Sequence, residues 1–529
     1  MLMNPVEVVI GLIFVATVLA AVAQRVGVAY PIVLVLGGLL VSFLPGIPLI
    51  HLDPEVVLLV FIPPLVYLPA SQVALMDFRT SWFPISMLSI GLVLVTLFGI
   101  AGLVHLAMPQ FAWSSAFVLA AVVAPTDMIA VNAIIRRTPI PHSVARILDG
   151  ESLFNDVIAF VAYKIAVRAV LHHSFSFAGT LAEFTWDSVA GVAAGLLIGQ
   201  LAIWSRRRVH DPAINAAISL LTSFAAYLTG EALQASGVLA TVTAGLWVGR
   251  SLSRILEPET RQGSFSFWAG LNFILEGLAF VLIGLELRPI LAELAPYSTT
   301  ILVGLAVLIS AGVILLRLLW IGAAFAVRLL VRRVLGMPSF QGSWKNALII
   351  GWSGARGVDS LAAALGIPLL LADRLTPFPD RALILYLSFV VILVTLLLQG
   401  ATLPVLIRWL TVSIDDAEAE ESRFANIATV QAALRVLEQA QPASDDLRDL
   451  TRHLQRTYEN RLTHLQTSSK AVTENSPAQI IASATSLRLA ILKAKRETLI
   501  ELRDQGRISN TVLRRIERSL DFEEIQLSS

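Results

Sequence analysis

From residue 151 to 156 the chain reads Glu-Ser-Leu-Phe-Asn-Asp inside an otherwise apolar stretch. At helical spacing Glu151 and Asn155 share one face, and Ser152 and Asp156 share another. One helix thus offers a carboxylate, a hydroxyl, an amide and a second carboxylate within two turns. Hard cations take oxygen ligands, so this cluster is a candidate site for a dehydrated monovalent cation. Upstream, Pro125-Thr126-Asp127 interrupts another apolar run and could add side-chain and freed backbone oxygens. Downstream, Gly351-Trp352-Ser353-Gly354-Ala355-Arg356-Gly357 interrupts a third run and sets an arginine among glycines. The other ionisable residues inside apolar runs are Lys164, Arg168, Glu276, Arg317 and Asp359, with Glu231 and Glu286 nearer run ends. Charges in spanning segments are costly, and each is a functional hypothesis. The competing reading is structural, with the carboxylates pairing with Arg317, Arg356 and Lys164 as buried bridges. Lys164 and Arg168 read as snorkelling side chains near a membrane surface.

The frame that must position these groups is apolar. Of 529 residues, 56% are hydrophobic and 15% charged, against about a quarter charged in a soluble domain. So much apolar surface implies a polytopic membrane protein. The absence of cysteine excludes disulfides, thiolate metal sites and cysteine nucleophiles. Lysine plus arginine (39) nearly balance aspartate plus glutamate (38), so there is no nucleic-acid footprint. The start, MLMNPVEVV, lacks the basic segment of a signal peptide, and the first apolar run reads as a retained helix.

A bilayer-spanning helix needs about 20 mainly apolar residues. The runs predict about thirteen such helices, near 6–23, 31–49, 55–73, 82–108, 115–135, 149–171, 187–204, 213–230, 236–249, 267–287, 299–327, 345–371 and 382–409. With the N-terminus outside, the loops on the cytoplasmic side hold Arg25, Arg79, Arg136, Arg137, Arg146, Arg206, Arg207, Arg208, Arg250, Arg254, Arg261, Arg328, Arg332, Arg333 and Lys345. The opposite loops hold Arg288, Arg374 and Arg381. That asymmetry is what the positive-inside rule demands, and it places the C-terminus in the cytoplasm. Six helices, a linking helix and six more give two halves of opposite orientation, the inverted-repeat plan of secondary transporters. Helix 5 then corresponds to helix 12, and both are interrupted. Paired breaks of this kind point to a binding site between the halves.

The fold expected is therefore all-α, with a membrane domain over 1–411 and a polar helical tail over 412–529. In the tail, Pro442 and Pro477 break runs, Ser444 could cap a helix, Gly506 fits a stop, and Ser509 or Asn510 a start. Ile480, Ala484, Leu487 and Ile491 recur at helical spacing ahead of Lys493, Lys495 and Arg496. They read as one face of a small bundle or dimer-contacting arm, or as a regulator of transport. An intramembrane aspartyl protease would need both aspartates on one water and a Gly-rich motif beside one of them. Asp127 follows Pro-Thr instead. A selective channel would need a filter sequence, and no TVGYG-like run is present.

The sequence resembles the bacterial sodium–proton antiporters of the monovalent cation–proton antiporter-1 family, relatives of the animal sodium–proton exchangers. The resemblance rests on Ala124-Pro125-Thr126-Asp127, Glu151 to Asp156, Ser236-Gly237-Val238-Leu239-Ala240, the run Glu276 to Gly284, and Gly354-Ala355-Arg356-Gly357, in that order. Leu502-Arg503-Asp504-Gln505-Gly506 is similar to the tails of bacterial members. The resemblance implies an antiporter rather than an enzyme, with no cofactor. It would exchange Na⁺ or Li⁺ for H⁺, one for one and without net charge, as a homodimer in the lipid of a bacterial inner membrane, for pH and sodium homeostasis. K⁺/H⁺ exchange and, behind it, cation-coupled symport are the alternatives. The resemblance further implies that Asp156 binds cation and proton in turn. Asn155 marks the electroneutral class, and Asp127, Ser152 and Thr126 complete the Na⁺ site with Asp156. Glu151 and Arg356 form a stabilising pair, and Glu276, Arg317 and Asp359 are accessory. Two departures stand out. Leu68 takes the place of an acid that many prokaryotic members carry in helix 3. Asp359 is an extra acid, expected to partner Lys345 or Arg356 or to tune the site.

Overall fold

The computed structural model describes residues 5–26, 29–43, 53–73, 82–127, 131, 140–172, 177–335, 343–373, 375–410, 416–439 and 445–467, with 495, 498, 505 and 520. An apolar run without water must satisfy its own backbone, which favours helices. Among the described residues the apolar runs are indeed helical: α1 Pro5–Val26, α2 Tyr30–Ser42, α3 Pro54–Gln72, α4 Trp82–Ala107, α5 Trp113–Val123, α6 His142–His172, α7 Phe177–Arg206, α8 Pro212–Ala232, α9 Gly237–Ile255, α10 Pro258–Glu293, α11 Thr299–Leu335, α12 Trp344–Trp352 and α13 Val358–Leu365, then α14 Arg381–Leu410. Among the described residues eight helices are long and apolar enough to cross a membrane. The expected spans at 213–230 and 236–249 form complete helices of 21 and 19 residues, α8 and α9. Both have side-chain caps: Asp211 accepts from the amides of Ala213 and Ile214, and Ser236 accepts from that of Leu239 at 3.2 Å. Such caps satisfy amides that the helix itself cannot.

Both expected interruptions are present. α5 ends at Val123 and the chain is non-helical over 124–127, while 353–357 is non-helical between α12 and α13. Large apolar side chains such as Phe14, Leu40, Phe98 and Leu319 stand exposed on the outer faces, as lipid contact requires.

The helix neighbours come in matching pairs. α2 packs on α10 as α9 packs on α3; α1 meets α10 as α8 meets α3; α4 meets α5 as α11 meets α12; and α5 meets α6 as α13 meets α14. This is the pattern of two six-helix halves in which α1–α6 correspond to α8–α14, with the broken α12/α13 as one unit and α7 linking the halves. Two of the matched pairs are close backbone approaches built on glycine. A Cβ at Gly38 or Gly284 would overlap the opposing backbone in the α2–α10 pair, and one at Gly249 would overlap the Ser71 carbonyl in the α3–α9 pair. Without a hydrophobic drive between helices in lipid, such small-residue contacts supply much of the packing.

In the connection from α13 to α14, Asp373 accepts from the Leu375 and Thr376 amides and the Thr376 hydroxyl. The hydroxyl bond and the amides hold this exposed carboxyl down at about 2.

The chain divides into two compact units, residues 1–415 and 416–529. In the second, α15 Asp416–Gln439 and α16 Asp445–Thr467 form a hairpin, with Arg423 Nη2 donating to the Gln466 carbonyl at 3.3 Å. Pro442, Ser444, Pro477, Ile480, Ala484, Leu487, Ile491, Lys493, Arg496, Leu502-Arg503-Asp504, Gly506, Ser509 and Asn510 lie outside the described residues, as do Arg79, Arg136, Arg137 and Arg374.

A methyl group at Gly249 has no room against the Ser71 carbonyl, whereas Gly304 on α11 has open space. Overpacking costs about 1–3 kcal/mol. Gly249→Ala is expected to lower the thermal midpoint of the detergent-purified protein, and Gly304→Ala to leave it unchanged or raise it. Equal midpoints would contradict the close α3–α9 approach.

Candidate functional site

The two interruptions meet, and each supplies what the other lacks. A broken helix leaves carbonyls at one end and amides at the other without intrahelical partners, and burial without partners is costly. Here the Asp127 amide donates to the Ala355 carbonyl at 2.8 Å. The Val358 amide, at the start of α13, donates to Asp127 Oδ2 at 3.2 Å. Arg356 Nε donates to the Val123 carbonyl at the end of α5, 3.0 Å away, and its Nη1 to the Gly354 carbonyl. The Arg356 amide donates to Thr395 Oγ1 at 3.1 Å. Gly357 is needed at the crossing point because a Cβ there would overlap the Asp127 carboxylate.

α6 runs past this crossing with Glu151, Asn155 and Asp156 all buried and Ser152 half-buried. Thr126 is wedged between two of them. Its hydroxyl donates to Glu151 Oε1 at 3.2 Å and accepts from Asn155 Nδ2 at 2.7 Å. Asp156 Oδ1 and Asn155 Oδ1 are buried and accept no hydrogen bond from the protein. Asp156 lies within electrostatic reach of Asp359, Asp127 and Glu151. The crossing therefore brings Thr126, Asp127, Glu151, Asn155, Asp156, Arg356 and Asp359 into one buried cluster. Such an assembly can hold a small cation against carboxylate, amide and hydroxyl oxygens, or hold a proton on the same carboxylate.

The ion pair differs from the expected one. Glu151 is paired with Arg317, not Arg356: Arg317 Nη1 donates to Oε1, and Nη2 to Oε2 at 2.9 Å. Both side chains are essentially without solvent contact, at 0% and 1% exposed. The physical reason lies in the break. Arg356 sits inside it, where its Nε and Nη1 go to the carbonyls of Val123 and Gly354 while its Nη2 stays buried without a partner. Arg317 reaches in from α11 and also caps the end of α12, donating to the Ile350 carbonyl at 2.9 Å. A planar guanidinium suits this bidentate role.

Asp359, in the first turn of α13, pairs with neither Lys345 nor Arg356 among the described residues; its Oδ1 is buried without a hydrogen-bond partner. Glu276 stands apart from the cluster and accepts from Tyr30 Oη on α2. Lys164 and Arg168 stay part-exposed and are paired, with Glu231 at 2.5 Å and Glu183 at 3.2 Å. Leu68 packs into a satellite apolar cluster with Tyr67, Ala226, Ala244 and Trp268. Among the described residues no three carboxylate or histidine side chains converge as a multivalent metal site would need.

Sequence reasoning missed Ser89 and Thr395. Ser89 Oγ donates to the Glu151 carbonyl at 3.3 Å, from a π-turn in α4 over Met87–Leu92. Thr395 opens a second π-turn, Thr395–Gln399, in α14. Such turns are common at functional sites. The only sequence signal was a lone hydroxyl residue in an apolar run.

Residues 11–409 match the family model described as sodium/hydrogen exchanger, transmembrane. The chain is 33% identical over 534 residues to a Mycobacterium tuberculosis protein named as an uncharacterised Na⁺/H⁺ exchanger, spanning 98% of this chain and 96% of that protein. It is 31% identical over 386 residues to the sodium, potassium, lithium and rubidium/H⁺ antiporter of Bacillus subtilis, spanning 71% of this chain and 57% of that one. Its fold is similar to that of the sodium proton antiporter MjNhaP1 from Methanocaldococcus jannaschii, with TM-score 0.60 and 20% identity over 77% of this chain and 98% of that one.

Removing one partner of a buried ion pair leaves a lone charge at a cost of about 3–5 kcal/mol. Arg317→Ala is therefore expected to lower folded yield and thermal midpoint sharply, and adding Glu151→Gln to recover much of the loss. Arg356→Ala combined with Glu151→Gln should show weaker coupling in the same double-mutant cycle. Stronger coupling of Glu151 to Arg356 would reverse the assignment.

Proposed function

The chain belongs to the sodium/hydrogen exchanger family of transmembrane antiporters, and from that premise we propose that it exchanges Na⁺ or Li⁺ for H⁺, one for one, with Asp156 as the residue both ions share. The observation that carries this reading is the state of Asp156. It is the buried carboxylate of α6 whose Oδ1 takes no protein hydrogen bond, while Glu151 on the same helix is held by Arg317. A carboxylate facing a poorly solvated interior is unfavourable as a bare anion, so a proton and a cation compete for it. Arg317 keeps Glu151 out of that competition by occupying both of its carboxylate oxygens.

Cation recognition would come from Asp156 together with Asp127, Thr126, Asn155 and Ser152. Thr126 is held between Glu151 and Asn155, and Asp127 by the α13 amide, which supports a pre-organised oxygen set. Asn155, an amide that cannot titrate, supports exchange without net charge movement. By the distribution of basic loop residues, the N-terminus faces outside and the tail faces the cytoplasm of a bacterium. The exchanger domain is read as 1–411, the tail as 412–529, and the working form as a homodimer that serves pH and sodium homeostasis.

K⁺/H⁺ exchange is the second reading. It is favoured by Leu68, which removes a carboxylate whose field would help strip water from a small ion, and by potassium in the printed name of the Bacillus subtilis relative.

In proteoliposomes carrying a pH gradient, Na⁺ and Li⁺ are expected to dissipate it with the wild-type protein and to fail with Asp156→Asn, because an amide carries no exchangeable charge. Wild-type-like exchange by that variant would sink the assignment. Comparing Na⁺, Li⁺ and K⁺ in one preparation settles the cation: dissipation by K⁺ alone would replace sodium while leaving the antiporter. Clamping the membrane potential with valinomycin and K⁺ should leave the Na⁺ exchange rate unchanged.

A further inference from the structure

The charges around the crossing do not cancel in the way the single shared carboxylate would lead one to expect. Four carboxylates are buried there, those of Asp127, Glu151, Asp156 and Asp359, with two guanidiniums, those of Arg317 and Arg356. Glu151 is bound bidentately by Arg317. Asp127 takes the amide that opens α13. Arg356 is held by the Val123 and Gly354 carbonyls. If those four groups are charged, they sum to zero, and Asp156 and Asp359 remain as two acids with no buried cation of their own among the described residues.

These two acids share further features. Asp156 is 6% exposed and Asp359 9% exposed, and Oδ1 of each accepts no hydrogen bond from the protein. Each is an electrostatic neighbour of Asp127, and Asp156 of Asp359 as well. The helices that carry them, α6 and α13, pack on one another and on α5. Beside each acid in sequence stands a buried neutral oxygen also without a partner, Asn155 Oδ1 and Ser360 Oγ. α3 also packs against α13.

Resting on the exchange reading above, we propose that Asp359 is a second ion-binding carboxylate, which shares the transported cation with Asp156. Two anions crowded in an apolar interior cannot both stay bare, and a hard cation gains more from two carboxylates than from one. The pair is neutral with two protons, and neutral again with one monovalent cation and one proton. Passing between these states exchanges one cation for one proton, so the second acid strengthens cation binding without changing the stoichiometry.

The test uses the full-length protein in proteoliposomes, with the Na⁺ and Li⁺ dependence of exchange measured side by side for wild type, Asp359→Asn, Asp359→Glu and Asp156→Asn. Asp359→Asn is expected to raise the apparent KM for both ions by about tenfold or more, with exchange still detectable at saturating cation. Asp359→Glu should recover part of the affinity with an altered Na⁺-to-Li⁺ KM ratio. A wild-type KM for Asp359→Asn overturns the proposal. If that variant does not fold, Asp359→Glu decides, and a wild-type KM and ion ratio there overturn it equally. Voltage-sensitive exchange in the wild type also overturns it, since the cation would then trade for both protons. Loss of exchange in Asp156→Asn beside a wild-type Asp359→Asn removes only the shared pair. Activity in Asp156→Asn would instead remove the exchange reading itself.

Discussion

A helix broken inside an apolar interior leaves backbone groups that no water can satisfy, and the architecture of this protein follows from how two such breaks meet. Each break is the other's solvent. The amide of Asp127 and the carbonyl of Ala355 bond across the crossing, and the Asp127 carboxylate takes the first amide of α13. Neither interruption would be tolerable alone, because an unpaired buried backbone group costs about as much as a hydrogen bond is worth, or more. Meeting in this way, they place carboxylate and amide oxygens where an unbroken helix would present only side chains.

The same constraint allots the arginines. Guanidinium donors are a dense way to satisfy orphan carbonyls, and Arg317 and Arg356 each donate to carbonyls at the break. Arg356 is committed to Val123 and Gly354. Arg317 links the end of α12 to Glu151 and so fixes α6 against the break. With Glu151 bound by Arg317, Asp156 further along α6 is left as a buried carboxylate whose Oδ1 takes no hydrogen bond from the protein. Ser89 and Thr395 complete the frame from two π-turns, each placing a hydroxyl oxygen against the backbone of a site residue.

Packing around the site obeys the rule of lipid rather than that of water. The matched α2–α10 and α3–α9 contacts are held by glycines that let backbones touch. This gives a functional reason for Gly284, the last residue of the run that begins at Glu276. Glu276 itself accepts from Tyr30 of α2 on the same α2–α10 seam.

By itself the sequence determined the helical membrane class, the two interruptions and the identity of the groups in the cluster. Hydrophobic runs and costly buried charges are one-dimensional signals, and Pro125 or the glycines around Arg356 mark a break wherever they occur. It also held enough motif order to place the chain among the exchangers. What it could not determine was partnership. Both arginines lie far along the chain from Glu151, and spacing alone cannot rank them. The choice of Arg317 depends on the carbonyls that the break exposes beside Arg356, a matter of tertiary geometry. The nearness of Asp359 to Asp156 is likewise a property of the α6–α13 packing. A residue that reads in sequence as an isolated extra acid becomes an electrostatic neighbour of Asp156 only when two distant helices are packed together.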